Sequence, residues 1–543
     1  VLITKLCNAF PEGYTPTDQQ VKLLNKIDDC LQRHKFVICC APTGSGKSMI
    51  ARSLANTTEK PSSEFTDLIT SYNAFKQDFS GNYVYEQECL EEPAFGSFVL
   101  TITKSLQDQY ISLFSDTDVL KGKTNYVCDV DDNFMVDLAP CTLASAIKDD
   151  CCSKNRCAYY NARNDALLSQ FGALNYKMFL ALPAHVKKKN IIICDEASEL
   201  EDELIRQFSA EIQYDKLRQF GIDIKALISD NQTRARAWVY DLLEKITNET
   251  EGILSIMSKN PRLITKSDKI KYQYLKNLHK LLESVDSLWS KIEYIIDYNA
   301  SQVSFTPLDA RELSRHIFDH ADKVVLMSAT IIDHKHFAQS LGISDYGYVE
   351  EESGFDPEKS PIYISSACKL NYKNLKIEMP NICNQIKQIV DHHKNEKGII
   401  HTHTLEITNI IKDKVGYSPR YLFRDISMKN EEILKQHYNS QEPTILVSPS
   451  LAFGVDLKDD LARFQIIVKL PYPPLSSKRI KKMFDRDKIW YENKMLNSIV
   501  QAAGRATRSA DDHSVTYILD GSFINVITRS KNRLPKHFIE RIH

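Results

Sequence analysis

A global charge is what this sequence most lacks. Its 69 Lys+Arg and 71 Asp+Glu leave a formal charge of −2, so any nucleic-acid binding must come from local basic surfaces. Glycine is scarce, 17 in 543 residues, and the composition as a whole excludes a collagen-like, wholly disordered or short disulfide-scaffold chain. No apolar run reaches the roughly 18 residues that a membrane-crossing helix needs. Val1–Pro11 has an apolar start without a basic region and cleavage site, so the expectation is a non-secreted chain in a cytoplasm, or a host cytoplasm if a phage encodes it. What is present is ordinary, 43% hydrophobic and 26% charged, enough for three or four domain-sized units. The exception is cysteine. Of 13 cysteines, Cys128, Cys141, Cys151, Cys152 and Cys157 fall within 30 residues. Others, such as Cys39, Cys40 and Cys194, sit in apolar runs and read as buried thiols of a reducing compartment. The group therefore points to a metal rather than to disulfides.

Eight short apolar runs read as strands: 36–41, 97–103, 190–195, 323–329, 398–403, 444–450, 464–470 and 514–520. They alternate with helical patterns such as Asp18–His34 and Glu431–Asn439, the signature of parallel sheets with helical crossovers. Four runs precede residue 330 and four follow 395, which predicts two α/β units. Residues 120–160 hold the cysteines in turn-like sequence. Residues 200–300 are strand-poor and heptad-like, as in 238–246 and 274–296, and predict an inserted helical domain, the alternative being helices that cover the first sheet.

Ala41-Pro-Thr-Gly-Ser-Gly-Lys-Ser48 follows a strand and opens a helix, a phosphate loop with Ala41 at the usual first glycine. Thr43, Gly44, Ser45 and Gly46 would wrap a nucleotide's phosphates with backbone N–H groups. Lys47 would reach the β/γ-phosphates and Ser48 would ligate Mg²⁺. Asp195 and Glu196 end another buried strand, where a carboxylate pair can hold Mg²⁺ through water and deprotonate an attacking water; a polar strand end opening a helix is the plainer reading. Arg505 and Arg508, three apart in QAAGRATR, share one helical face and could stabilise a transferring phosphoryl group, or simply be a solvated face.

The order of phosphate loop, Thr101-x-Thr103, DEAS (195–198), SAT (328–330), FGVD (453–456) and QxxGRxxR (501–508) resembles superfamily-two helicases, within them the XPD/DinG family of iron–sulfur helicases. KGKTNYVC (121–128), CAYYNARNDALLSQFGALNYKMFL (157–180) and LPYPP (470–474) add to it, so the resemblance spans nearly the whole chain. It implies an α/β fold of two RecA-like motor domains with two insertions. Motor domain 1 would comprise 1–105, 161–205 and 305–350, the iron–sulfur domain 106–160, the helical arch 206–304 and motor domain 2 351–543. It implies an ATP-dependent DNA helicase moving 5′→3′, with ATP, Mg²⁺ and a 4Fe–4S cluster as cofactors, single-stranded and forked DNA as partners, and a monomeric state. Gln20 (or Gln19) would contact adenine. Ser328, Ala329 and Thr330 would couple hydrolysis to domain movement, and Gly454 and Asp456 would sense nucleotide and strand. Gln501, Arg505 and Arg508 would face the γ-phosphate; Thr103, Asn175 and Tyr176 would contact DNA. Three departures stand out: Ser198 replaces the family's histidine, IIHTHTLE (399–406) matches the fourth motif loosely, and Asp520-Gly-Ser lacks the usual arginine.

Cys128, Cys141, one of Cys151/Cys152, and Cys157 occupy the family's cluster position. Four thiolates on a loop-rich segment can hold a 4Fe–4S cluster; zinc and unligated thiols stay open, although zinc motifs usually show a CxxC pair and none occurs here. Lys187–Lys189 reads as a DNA contact or a solvated face. Lys478-Arg479-Ile-Lys-Lys482, followed by Phe484, Trp490 and Tyr491, interleaves cations with aromatics in a way that suits single-strand binding, the alternative again being a solvated face. Two other activities fit the motifs: a translocase that does not separate strands, because Ser198 could weaken coupling, and a nucleic-acid scaffold with a dead ATPase.

Overall fold

Each of the eight apolar runs forms a strand, and two parallel sheets result. The computed structural model describes residues 5–42, 44–63, 66, 95–139, 141, 151, 156–259, 265–351, 356–371, 373–416, 418–423, 430–449, 459–504 and 512–543. The first sheet contains β1 (Phe36–Cys40), β2 (Ser97–Thr101), β3 (Asp118–Leu120), β4 (Phe171–Asn175) and β5 (Lys189–Cys194). β9 (Ala321–Ser328) and β10 (Tyr346–Glu350) complete it, in the order β10-β1-β9-β5-β2-β4-β3. β3, β4, β2, β5 and β9 run parallel in succession. All five residues of β2 are buried, as expected of a strand covered on both faces.

The second sheet is parallel throughout, in the order β11-β16-β15-β12-β14-β13. Its strands are β11 (Ile362–Ile364), β12 (Gly398–His401), β13 (Tyr421–Phe423), β14 (Ile445–Ser448), β15 (Phe464–Ile467) and β16 (Val515–Ile518). Ile386, Ile407, Ile411 and Met379 from covering helices pack on its Ile400, Ile445, Val447 and Ile466. β3, β4, β10, β11 and β13 were not expected from sequence. They are short or, like β4, continuous with a following helix, so neither run length nor alternation marks them.

The chain forms two units, one of Val1–Cys39, Ser48–Met327 and Ala338–Val349, the other of Cys40–Lys47, Ser328–Phe337 and Glu350–His543. The insertion within the first unit is not purely helical. β6 (Ala210–Gln213), β8 (Gln302–Pro307) and β7 (Tyr294–Tyr298) form an antiparallel sheet in that order. The expected helix over 274–296 stops at Leu288, and Tyr294–Ile296 enters β7 instead. The aromatic residues explain the switch: Trp289 lies 5.5 Å from Tyr294 and 5.9 Å from Phe305 of β8, ring centre to ring centre. Chain that continued as helix would forfeit these contacts.

The helices Gln232–Lys259 and Lys266–Leu288 pair through Ala235, Val239, Leu242 and Ile246 and through Leu275, Leu278, Leu282 and Val285. The 3–4 spacing keeps each set on one face, and each buried leucine contributes about 2 kcal/mol. Among the described residues no helix is long and apolar enough to cross a membrane.

Candidate functional site

The phosphate loop begins where β1 ends. Ala41 is fully buried and its N–H donates to the Ser328 carbonyl at 3.0 Å. Gly44 and Gly46 take φ of +83° and +82°, a region glycine enters without steric cost and which lets successive N–H groups turn inward. Lys47 opens the helix Lys47–Asn56, and its ammonium donates to the Ala41 and Pro42 carbonyls at 3.2 and 3.5 Å. Those are the loop's own backbone oxygens, so the amine is already held over the turn. Thr43 lies outside the described residues. In the second unit, Ser328 and Thr330 of the SAT segment are buried, and the Thr330 N–H donates to the Ser328 hydroxyl at 3.4 Å.

The acidic end of β5 is built differently from a plain strand terminus. Asp195 is 6% exposed; its Oδ1 accepts from the Glu196 N–H at 3.0 Å and its Oδ2 from the Tyr110 hydroxyl at 3.0 Å. Its backbone carbonyl accepts from the Tyr176 hydroxyl at 3.1 Å. Both tyrosines are 1% exposed. Burial first, then for Tyr110 the Asp195 charge, raises their pKa values well above the ordinary 10. Glu196 adopts left-handed backbone at φ 51°, ψ 45°, which costs a residue with a Cβ about 1–2 kcal/mol. That strain turns the chain sharply just after the strand, as active-site residues often do.

Sequence reasoning missed Tyr110 altogether, since a tyrosine in the helix Lys104–Leu113 reads as core. It also misplaced Tyr176. That side chain is buried beneath the acidic motif and has no surface to offer DNA. Thr103 and Asn175 act as helix N-caps, accepting from the Leu106 N–H at 3.3 Å and the Met178 N–H at 2.8 Å. Gln20 belongs to a capping box: its Oε1 accepts from the Thr17 N–H at 3.0 Å, and its own N–H donates to Thr17 Oγ1 at 3.2 Å.

The basic stretches separate by exposure. Lys187 and Lys189 are buried, so neither forms the surface their sequence suggested. The Lys189 ammonium donates to the Leu167 and Ser169 carbonyls and lies 4.1 and 4.5 Å from the Phe95 and Phe98 ring centres; burial lowers its pKa to about 7. Lys478 is exposed on the helix Lys478–Arg486, whereas Arg479 is 7% exposed with its guanidinium 5.5 Å from the Trp490 ring centre. Arg479 therefore packs rather than projects. Gln501 sits in the last turn of the helix Lys488–Ala503. Gly454, Asp456, Arg505 and Arg508 lie outside the described residues, as does Cys152.

Cys128, Cys151 and Cys157 are buried and Cys141 half-buried. Burial, then the charges of Cys157, Cys141 and Cys128, pushes the Cys151 thiol up to about 11. In donor chemistry they suit a thiolate-bound metal. As placed, though, no three or more His, Cys, Asp or Glu side chains among the described residues gather closely enough to hold one. The segment is braced by its surroundings. Arg156 pairs with Asp129 at 2.8 Å, and Lys269 of the inserted helix lies 4.2 Å from the Phe134 ring centre.

Residues 386–541 match a family described as the helicase C-terminal domain. The chain is 31% identical over 98 residues to the ATP-dependent DNA helicase CHL1 of Kluyveromyces lactis, covering 15% of this chain and 12% of that protein. It is 29% identical over 115 residues to CHL1 of Candida albicans, covering 18% and 13%. The matches thus span about an eighth of those relatives' length. An XPD helicase structure superposes with a TM-score of 0.61 at 17% identity, covering 95% of this chain and 98% of that one. S. tokodaii Xpd4 gives 0.53 at 14% identity, covering 96% and 98%. The chain therefore has the fold of the XPD helicase structures, and its residues 386–541 are similar to the helicase C-terminal domain family.

Proposed function

We propose that this chain hydrolyses ATP to move 5′→3′ along single-stranded DNA and to open forked duplexes. The observation that carries the hydrolytic part is the phosphate loop itself, with Gly44 and Gly46 in left-handed backbone and the Lys47 ammonium held over the turn by the Ala41 and Pro42 carbonyls. The DNA substrate is supported by the names of the CHL1 relatives, and the direction of travel by the family resemblance alone.

In this reading Lys47 binds the β- and γ-phosphates while Gly44, Ser45 and Gly46 present N–H groups to them. Ser48 and Asp195 would hold Mg²⁺, which when bound neutralises phosphate charge. Glu196 accepts a proton from the attacking water as its oxygen bonds to the γ-phosphorus and the bond to the β–γ bridging oxygen breaks. Arg505 and Arg508 stabilise the charge that develops. Gly454, Asp456 and Gln501 respond to nucleotide, and Lys478 offers a cation to the DNA backbone. Cys128, Cys141, Cys157 and one of Cys151 and Cys152 would hold a 4Fe–4S cluster, whose binding supplies folding free energy to a segment with little core of its own.

The test is ATP turnover with and without single-stranded DNA, beside strand separation on forks with one free tail. Strong stimulation by DNA and opening from a 5′ tail are expected; opening only from a 3′ tail would refute the polarity. Ser198, where the family has histidine, favours a second reading, translocation without robust unwinding. Single-strand translocation without strand displacement would establish it.

A further inference from the structure

The loop that follows β15 is poor in hydrogen-bond donors. Pro471, Pro473 and Pro474 carry no N–H, and the Tyr472 N–H donates to the Leu470 carbonyl at 2.9 Å. Such a segment is fixed chiefly through its carbonyl oxygens, by donors from elsewhere in the chain. Two side chains supply them. His403 Nε2 lies 3.2 Å from the Tyr472 carbonyl, and the Tyr491 hydroxyl donates to the Pro473 carbonyl at 2.9 Å. A carbonyl only accepts, so Nε2 carries a proton in His403. The Tyr472 and Tyr491 rings stack with centres 5.1 Å apart and planes at 18°, which adds an apolar hold. His403 reaches the loop from left-handed backbone, φ 66°, which a residue with a Cβ keeps only where its surroundings require it. Those surroundings are firm. Thr402 is fully buried and its N–H donates to the Ser448 carbonyl at 3.1 Å, while Thr404 caps the helix Leu405–Val415 by accepting from the Ile407 N–H at 3.2 Å.

This clamp stands where a ligand can use it. β12, which leads into His403, and β15, which leads into the loop, are parallel neighbours. Both features therefore sit at the carboxyl edge of the sheet, where open α/β sheets bind their ligands. Beyond Pro474 the chain turns outward: Leu475 is 43% exposed, and Lys478, Lys482 and Arg486 are exposed on the helix Lys478–Arg486. An apolar tip followed by cations complements a single strand, which offers bases and phosphates. We infer that His403 and Tyr491 are positioning residues that clamp the 470–474 loop, so that Leu475 and Lys478 meet single-stranded DNA in a fixed arrangement. The inference rests on the proposed DNA substrate. Neither clamp residue touches the DNA. They order the loop beforehand, so that binding need not spend free energy on ordering it.

The test uses the full chain with two probes, a fluorescein-labelled oligothymidylate read by anisotropy and the fluorescent nucleotide methylanthraniloyl-ADP. His403→Phe and Tyr491→Phe each keep a ring and remove one donor. Each should raise the oligothymidylate Kd about threefold or more, with the nucleotide Kd within about twofold of the parent. A smaller rise in either variant overturns the inference. So does an equal loss of affinity for both probes, which is what a purely structural role would produce. His403→Gln keeps an N–H donor that can reach the same carbonyl. Its oligothymidylate Kd should stay below the threefold mark, about that of the parent, and a rise as large as that of His403→Phe overturns the inference. If His403→Phe does not fold, Tyr491→Phe decides by the same threshold. A parent chain that binds the nucleotide but not oligothymidylate refutes instead the DNA substrate itself, a distinct outcome.

Discussion

His336 Nε2 lies 2.7 Å from the Asp487 carboxylate, 151 residues away in sequence and inside the second unit. Asp487 is also the N-cap of the helix Lys488–Ala503, accepting from the Trp490 N–H at 2.9 Å. Burial, the largest influence on this carboxyl, pushes its pKa up. The Trp490 N–H, then His336 and then the Ile489 N–H outweigh it and hold the group below its ordinary value. The two functions can be separated. Asp487→Ala should cost about 1 kcal/mol from the cap alone and more with the lost pair. Asp487→Asn should keep the cap and lose only the charge. Urea unfolding of these variants, with His336→Ala and the double variants, would show whether His336 and Asp487 couple.

Strain at Glu196 makes a second prediction. Glu196→Gly relieves the left-handed backbone and should stabilise the fold by about 1 kcal/mol, while removing the carboxylate expected to accept the water's proton. Glu196→Gln should abolish turnover without the stabilisation. Thermal unfolding and ATP turnover on both variants separate conformational strain from chemistry.

Lys47→Ala should lose nucleotide affinity and turnover together, with little change in unfolding temperature, because its ammonium bonds only to the carbonyls of its own loop among the partners described. Equilibrium binding of a fluorescent nucleotide checks this, and a variant that still turns over ATP at the parent rate would remove Lys47 from the site.

Two imidazoles set an acid limit. Burial, with Lys187 for His320 and Arg541 for His537, lowers both pKa values to about 4. An imidazole depressed on folding binds fewer protons folded than unfolded between about 4 and the free value near 6.5. Its contribution is therefore whole above about 6.5 and declines as pH falls toward 4. The unfolding temperature should drop across that window, and His320→Gln or His537→Gln should flatten the drop.

The cysteine group predicts visible absorption near about 400 nm and about four irons per chain after anaerobic purification, the content of a 4Fe–4S centre. Cys157→Ser should abolish the absorption. Colourless protein containing zinc would replace the cluster with a zinc site, and metal-free active protein would show the thiols to be unligated.

Much of the architecture was legible in sequence because parallel strands buried on both faces are written as continuous apolar runs, as NIIIC is. The phosphate loop was legible because left-handed backbone at Gly44 and Gly46 demands glycine, and in a chain with so few glycines the pair stands out. Asp195 and Glu196 were legible by their place at the end of a run. Short-range chemistry needed nothing beyond the neighbouring residues.

Tertiary structure decided the rest, where a side chain's role depends on partners distant in sequence. Tyr110 and Asp195 are 85 residues apart, and no local pattern pairs them. Tyr176 belongs to a segment that resembles a DNA-contacting one, yet its hydroxyl turns inward to a strand end. Lys189 looks like surface until Phe95 and Phe98 close over it, and Tyr294 looks helical until Trp289 and Phe305 draw it into a sheet. Sequence by itself determined which backbone shapes and which chemical groups this protein has. Only packing decided which groups meet, because burial and long-range hydrogen bonds are set by the whole chain at once.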